Sequence, residues 1–294
     1  MTQTRPLAPD GTWCAIPVHN NGATAAGVAR ACRRQLERVV VVDDGSTDGD
    51  LRAALADADI IVLRHPERRG KGAALRTALA YAAAQGARWL ITLDGDGQHL
   101  PADIPRFFPL MASQGEVLLV GKRDLTGPHV PRASRFGRLF SNLWVLAETG
   151  RYLPDTQSGF RAYPVPRIRQ LPLHGDHFDF EIEVLVRHLW TGGPVASVPV
   201  NAYYPPAGER VSHFDKWRDN LRLSLLHTGL LVRRLAALAS APFRALRRRQ
   251  TATPQEADAL RAIPSRRRGT RLGFWFFAVA TRLTGLRGAY GLLY

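Results

Sequence analysis

Short apolar runs alternate with helical patterns through the first two hundred residues. Trp13–Val18, Val39–Val42, Ile60–Leu63, Trp89–Leu93 and Val117–Val120 are rich in Val, Ile and Leu and read as strands. Between them the spacing of apolar residues predicts helices around Ala23–Gln35, Asp50–Ala58 and Lys71–Gln85. Strands apolar on both faces and joined by helices predict an α/β fold with a mainly parallel central sheet covered on both sides. Phe178-Asp179-Phe180-Glu181-Ile182-Glu183 opens a further helix, its acidic residues placed where the helix dipole favours negative charge. Val195–Tyr204 reads as a last strand.

The pattern changes after Phe214. Trp217, Leu221, Leu225, Leu230, Leu231, Leu235 and Leu238 recur at near-helical spacing with Arg218, Arg222, Arg233 and Arg234 interspersed. Two readings fit: an amphipathic helix lying on an anionic membrane, or a helix packed on the main domain with a solvated basic face. The polybasic run Arg247-Arg248-Arg249 favours the membrane. Residues 251–271 form a polar and basic linker, and 272–294 an apolar aromatic run. Arg282 and Arg287 within that run each cost about 2.5–3.5 kcal/mol near a bilayer centre, so it is expected to lie in the interface rather than span it.

Composition sharpens this division. The 294 residues are 45% hydrophobic, enough to bury one full α/β core, and carry a formal charge of +15. From Pro205 onward there are 17 Lys/Arg against 5 Asp/Glu, which leaves a net charge of only +3 for the first 204 residues. Basicity therefore belongs to the tail. Its interleaving with Leu, Phe and Trp, and the lack of a recognisable nucleic-acid motif, argue against a nucleic-acid-binding protein. Cys14 and Cys32 show neither metal-ligand spacing nor a disulfide framework and are expected in the core of a protein from a reducing compartment. The N-terminal twelve residues contain no apolar run of a secretory signal, which implies a chain that begins in the cytosol.

Every chemically suggestive motif closes a strand, and in open parallel sheets ligands bind beyond the carboxyl ends of the strands. Ile16-Pro17-Val18-His19-Asn20 ends the first strand, Asp43-Asp44-Gly45-Ser46-Thr47-Asp48 the second, and Leu93-Asp94-Gly95-Asp96-Gly97-Gln98-His99 the fourth. Asp-Gly-Asp-Gly is ordinary turn chemistry. It also offers hard oxygen ligands to magnesium or manganese, which share their shell with a substrate's phosphates. Three polar clusters on one rim favour a metal-bridged diphosphate site. Lys71 sits between two glycines but outside any GxxxxGK[ST] framework, so the chain has no P-loop.

Taken together, Ile16 to Asn21, Val-Val-Asp-Asp-Gly-Ser-Thr-Asp at 41–48, Gly-Lys-Gly at 70–72, the 93–99 motif, Val-Gly-Lys-Arg at 120–123 and Ser-Gly-Phe-Arg at 158–161 resemble family-2 glycosyltransferases with the GT-A fold. The similarity is greatest to the branch that includes polyprenyl-phosphate mannosyl- and glucosyltransferases, and it covers about residues 12–226. It implies a catalytic domain over 1–212, followed by basic juxtamembrane helices at 213–250. It further implies that Pro17, Asn20, Asp43, Asp44, Lys71, Asp94 and Arg123 bind the nucleotide-sugar, that Asp94, Asp96 and Gln98 hold Mg2+ or Mn2+, and that Asp96 and Arg161 act in catalysis. Arg123 and Arg161 face phosphates in this reading, with structural ion pairs as the alternative. The reaction implied is an inverting transfer to a lipid acceptor by a peripheral protein at the cytoplasmic face of the inner membrane.

The chain departs from the family pattern at His19 and Asn21, where an aromatic and an acidic residue are usual. It also lacks the Glu-Asp base of relatives that glycosylate hydroxyls. A phosphate monoester is already ionised near neutrality, with a second pKa of about 6, so a missing base fits a polyprenyl phosphate acceptor. For a hydroxyl of a glycolipid or acyl-lipid, Asp179 or Glu181 is the candidate base, unless it caps the helix. Ser158, Arg210 and His213 are the expected acceptor-binding residues, the last two in a segment that otherwise reads as a surface loop. The tail from about Arg266 resembles the start of lipid A-type acyltransferases, which would imply a partner or fused acyltransferase. A catalytically dead scaffold is disfavoured by the intact Asp94 and Asp96.

Overall fold

The computed structural model describes residues 7–125, 130, 132–204, 219 and 221–236, with the backbone alone at 132 and 133. Seven strands form one sheet: β1 Thr12–Val18, β2 Val39–Asp44, β3 Ile61–His65, β4 Trp89–Thr92, β5 Leu118–Arg123, β6 Arg161–Pro164 and β7 Val195–Val200. Their order is β3-β2-β1-β4-β6-β5-β7. All pairings are parallel except those of β6, which runs antiparallel to both β4 and β5. The expected mainly parallel sheet is present, as a mixed sheet.

Alternation along each strand builds two cores. Trp13, Ala15, Val40, Val42, Leu90, Leu118 and Val120 point to one face. Cys14, Ile16, Val39, Val41, Trp89, Ile91 and Leu119 point to the other. Helices α3 (Lys71–Ala84), α5 (Arg132–Thr149), α6 (Val165–Ile168) and α7 (Asp179–Trp190) supply residues to the first core. Helix α1 (Gly22–Arg33), the short α2 (Leu51–Ala54), a 3-10 turn at Pro101–Arg106 and α4 (Phe108–Ser113) cover the second. Burial on both faces explains why these strands read as continuous apolar runs. Both cysteines are buried and free.

The structure differs from the sequence expectation in three places. The helix expected over Asp50–Ala58 is a single turn, α2, whose start is capped by Asp50 Oδ1 accepting from the Arg52 and Ala53 amides. Strand β6 was not foreseen: Arg-Ala-Tyr-Pro offers no alternation, and pairing with β4 and β5 on both edges is what makes it a strand. The tail helix is described over 221–236, here α8. It packs on the domain through Leu223, Leu226 and Leu230, while Leu221, Leu225 and Val232 face outward. It is thus docked, yet its outward face is apolar rather than basic. Residues 205–218 and 237–294, with the expected linker, interfacial helix, Arg210 and His213, lie outside the described residues.

Phe107, fully buried and stacked on Phe160 at a centroid distance of 4.7 Å, joins the second core to the Ser158–Phe160 segment that leads into β6. Phe107→Ala is expected to lower unfolding free energy by about 3–5 kcal/mol, read from urea denaturation.

Candidate functional site

The loops after β1, β2 and β4 meet at the carboxyl rim of the sheet. Asn20 adopts φ 47, a left-handed conformation that Asn tolerates better than most residues. From there its amide donates to Ser46 Oγ and its Oδ1 accepts from the Thr47 amide. Asn21 Nδ2 donates to the Gly95 carbonyl, and His19 Nδ1 lies 2.9 Å from the Asp44 carbonyl. The two residues that depart from the family pattern therefore staple the three rim loops together. Pro17 is half-buried on the same rim.

Asp43 and Asp44 end β2, and both are buried. Asp43 Oδ1 accepts from the Ser46 amide, and its Oδ2 pairs with the half-exposed Arg64 at 3.0 Å. Both Asp44 oxygens are engaged within the chain: Oδ1 by His65 Nδ1 and the Arg69 amide, Oδ2 by the Gly70 amide. Asp44 thus holds the loop that delivers Lys71.

Lys71 opens α3 and links two distant segments, its Nζ lying 2.6 Å from Asp94 Oδ1 and 3.1 Å from Glu181 Oε2. It also lies 5.4 Å from the centroid of the Phe178 ring. Burial alone would lower the pKa of this ammonium, but the Asp94 and Glu181 carboxylates outweigh it and hold Lys71 above its ordinary range. Burial likewise works against the Asp94 charge, yet the Lys71 and Arg123 cations outweigh it and hold its carboxyl below the usual range. Asp94 keeps 27% of its side chain exposed. Asp96 Oδ1 accepts from the Gln98 amide, fixing the turn.

Gly159 lies against Asp94. A Cβ at Gly159 would sit 2.5 Å from Asp94 Oδ2, so only glycine leaves room for that carboxylate. Thr92 Oγ1 donates to the Gly159 carbonyl and holds the segment in place.

Arg123 forms a bidentate pair with the buried Asp155 at 2.9 Å on both oxygens. It is a cation with a fixed orientation at the edge of the Asp94 cluster, and Asp155, which sequence reasoning did not single out, supplies that orientation. Arg161 differs: it is fully buried, and its guanidinium donates to the carbonyls of Ser158, Glu181 and Thr156. It ties the Ser-Gly-Phe-Arg segment to α7 and makes no approach to solvent, so its role here is to position rather than to face a phosphate. Ser158 is also fully buried, with its Oγ 3.5 Å from His99 Nε2. Asp179 Oδ1 accepts from the His177 amide and so fixes the turn that leads into α7. Glu181 is 5% exposed, and its Oε1 has no hydrogen-bond partner.

The model of the family described as glycosyl transferase family 2 matches residues 13–164. The chain belongs to that family. Undecaprenyl-phosphate mannosyltransferase of Micrococcus luteus is 28% identical over 58% of this chain and 74% of its own length. The UDP-N-acetylglucosamine–dolichyl-phosphate N-acetylglucosaminyltransferase of Methanococcus voltae is 24% identical over 64% of this chain and 84% of its own. Mannosyl-3-phosphoglycerate synthase from Rubrobacter xylanophilus shares the fold, with a TM-score of 0.55 at 17% identity, covering 86% of this chain and 78% of that one. The acyltransferase-like reading of the tail is not borne out: the family match ends at residue 164 and these relatives are glycosyltransferases.

Among the described residues of this glycosyltransferase, no three His, Cys, Asp or Glu side chains gather to cage a cation. Asp94 and Asp96 on one turn offer two hard oxygen donors, a set that fits Mg2+ or Mn2+ with phosphate oxygens and water completing the shell.

Sequence reasoning also passed over His99 as a site residue. It is 3% exposed, its ring packs edge-on against Phe160, and its Nδ1 has no hydrogen-bond partner at 4.0 Å from Asp94 Oδ2. Burial lowers its pKa to about 4, with the opposing pull of Asp94 insufficient to offset it. His99 is therefore neutral in the folded protein at pH 7, whereas an unfolded-state histidine protonates near 6.5. Because the folded state binds fewer protons than the unfolded chain between these values, stability is expected to fall as pH drops from 6.5 toward 4. A proton NMR titration of ligand-free protein checks the cause: the His99 ring resonances should stay at their neutral position down to about pH 4. Gly159→Ala is expected to displace Asp94 and to lower glycosyltransferase activity about 100-fold, measured as sugar transfer beside wild type, with the folded circular dichroism spectrum retained.

Proposed function

We propose that the protein transfers a hexose from a nucleoside diphosphate-sugar to a polyprenyl phosphate, with inversion at the sugar's anomeric carbon. The observation that carries this reading is the state of the two candidate bases. Asp179 Oδ1 is engaged by the His177 amide in the turn ahead of α7, and Glu181 is buried and paired with Lys71. An acceptor phosphate oxygen is already a nucleophile and needs neither of them. The named activities of the Micrococcus and Methanococcus relatives, both on polyprenyl-type phosphates, support the same acceptor class.

In this reading Asp43 accepts hydrogen bonds from the base or ribose, beside Pro17 and Asn20. Asp44 works one step back, holding the 66–70 loop. Lys71 and Arg123 are the cations that draw the diphosphate toward Asp94. Asp94 and Asp96, with Gln98, would hold Mg2+ or Mn2+, which when bound neutralises charge on the diphosphate as a Lewis acid. The acceptor phosphate oxygen forms a bond to the anomeric carbon as the bond from that carbon to the diphosphate breaks, and the nucleoside diphosphate leaves. His99, neutral and buried, keeps the far side of Asp94 free of a competing full charge.

The lipid acceptor brings the reaction to a membrane surface, and the basic tail favours an anionic, cytoplasmic leaflet. No helix among the described residues is long and apolar enough to cross a membrane.

Radiolabelled transfer from UDP-glucose, UDP-N-acetylglucosamine and GDP-mannose into chloroform-extractable product tests the proposal. Product formation with one donor should require added Mg2+ or Mn2+ and polyprenyl phosphate, and Asp96→Asn should lower it about 100- to 1000-fold. Glu181→Gln separates the acceptor classes. With a phosphate acceptor its rate should fall less than about tenfold, whereas loss of a general base costs about 100- to 10000-fold and would point to a hydroxyl acceptor.

A further inference from the structure

Isolated apolar side chains on a protein surface are ordinary, but a concentration of them is not. Of the eleven large apolar side chains exposed among the described residues, seven lie on two helices, α5 and α8. On α5 the stripe is Phe136, Leu139 and Leu143, exposed by 39, 52 and 36%. On α8 it is Leu221, Leu225 and Val232, exposed by 61, 65 and 58%, with Leu235 beside them. The spacing in each is helical, so each stripe is one continuous outward face.

The inward faces are joined. His227 Nδ1 on α8 lies 2.7 Å from Glu148 Oε1 on α5, and the His227 ring stacks on Trp144 at 5.1 Å. Val145 and Leu230 enter the same core cluster. The two helices therefore cover the same side of the sheet as a fastened pair.

Charge decides what such a face meets. Residues 221–236 contain Arg222, Arg233 and Arg234 and no Asp or Glu. Asp219, just before them, is buried and paired with Arg222 at 3.2 Å. The one acidic residue of α5, Glu148, is fully buried against His227. Neither helix shows an exposed carboxylate, while Arg135 and Arg233 are exposed. Residues 237–294 add 11 Lys/Arg against 2 Asp/Glu. Like charge disfavours both this tail and a second copy of the chain as the occupant of the face. An anionic bilayer satisfies the apolar stripes and the basic rim together.

We infer that the outward faces of α5 and α8 form one docking surface for an anionic lipid bilayer. This extends the lipid-acceptor reading on which it rests, and it brings in α5, whose sequence lies inside the catalytic domain and carries no membrane signal of its own. Leu139 and Leu225 sit at the two halves of the surface, and both are more than half exposed, so substitution there leaves the packing in place.

The test is co-sedimentation of the full chain with phosphatidylcholine vesicles containing phosphatidylglycerol, beside vesicles of phosphatidylcholine alone, both free of polyprenyl phosphate. The wild-type protein should partition to the anionic vesicles. Leu139→Glu and Leu225→Glu should each weaken that partition roughly tenfold, while Leu7→Glu, on the unrelated and still more exposed Leu7, should not. Nucleotide-sugar binding by calorimetry and thermal melting should match wild type in all three variants. Retained vesicle binding in both Leu139→Glu and Leu225→Glu would overturn the inference, as would a wild-type dimer that these variants dissociate. Because the vesicles hold no acceptor, failure of the lipid-acceptor reading shows separately, as absence of chloroform-extractable product from a wild-type protein that still binds vesicles.

Discussion

One ammonium group holds the site together. Lys71 Nζ bridges Asp94, just past the end of a central strand, and Glu181 on α7, which lies 110 residues beyond Lys71 itself. Lys71 is the cation in contact with both carboxylates, and removing it would leave two negative charges facing one another in a largely buried setting. The rest of the neighbourhood is arranged around that requirement. Asp44 uses both carboxylate oxygens to hold the loop that presents Lys71, and Gly159 leaves space for Asp94. Arg161 clamps α7 to the segment that carries Gly159 through carbonyl acceptors on both sides. A glycosyltransferase that handles a diphosphate needs cations at this point, and here each cation is oriented by a carboxylate before any substrate arrives: Lys71 by Asp94 and Glu181, Arg123 by Asp155.

The antiparallel strand β6 is what brings the second half of the chain to the first. By inserting between β4 and β5 it places Ser158–Arg161 alongside the carboxylate turn after β4. The same insertion buries Phe160 between His99 and Phe107, so the polar cluster rests on an aromatic floor. That floor removes water from one side of Asp94 and explains why His99 is neutral while Lys71 and Arg123 stay charged. The imidazole gains too little from Asp94 at 4.0 Å to offset burial, whereas the two strong cations have carboxylates in direct contact.

Helices α5 and α8 sit on the core face of the sheet that also holds α3 and α7. Their inward residues belong to the same apolar cluster as the helix that starts at Lys71, while their outward residues remain apolar. The fold therefore has one polar rim, where the strands end, and one apolar two-helix face. The proposed substrates, a water-soluble nucleotide-sugar and a lipid, call for both kinds of surface.

Much of this was legible in the sequence, and the division is physical. Runs such as Val39–Val42 and Trp89–Thr92 declare strands buried on both faces because a local pattern of apolar residues suffices to say so. Short-range chemistry is legible for the same reason: Asp94, Asp96 and Lys71 stand in recognisable local contexts that match the family. What a carboxylate or guanidinium does with its oxygens or nitrogens depends instead on partners distant in sequence. Asp44 and Arg161 look like ligand-binding residues in sequence and turn out to hold backbone. His99, Asp155 and the departures His19 and Asn21 acquire their roles only from neighbours that folding supplies. Strand β6 and the outward apolar faces of α5 and α8 were likewise decided by the tertiary structure, because which edge a four-residue segment pairs with, and which side of a helix is covered, are properties of the assembled sheet and not of the segment.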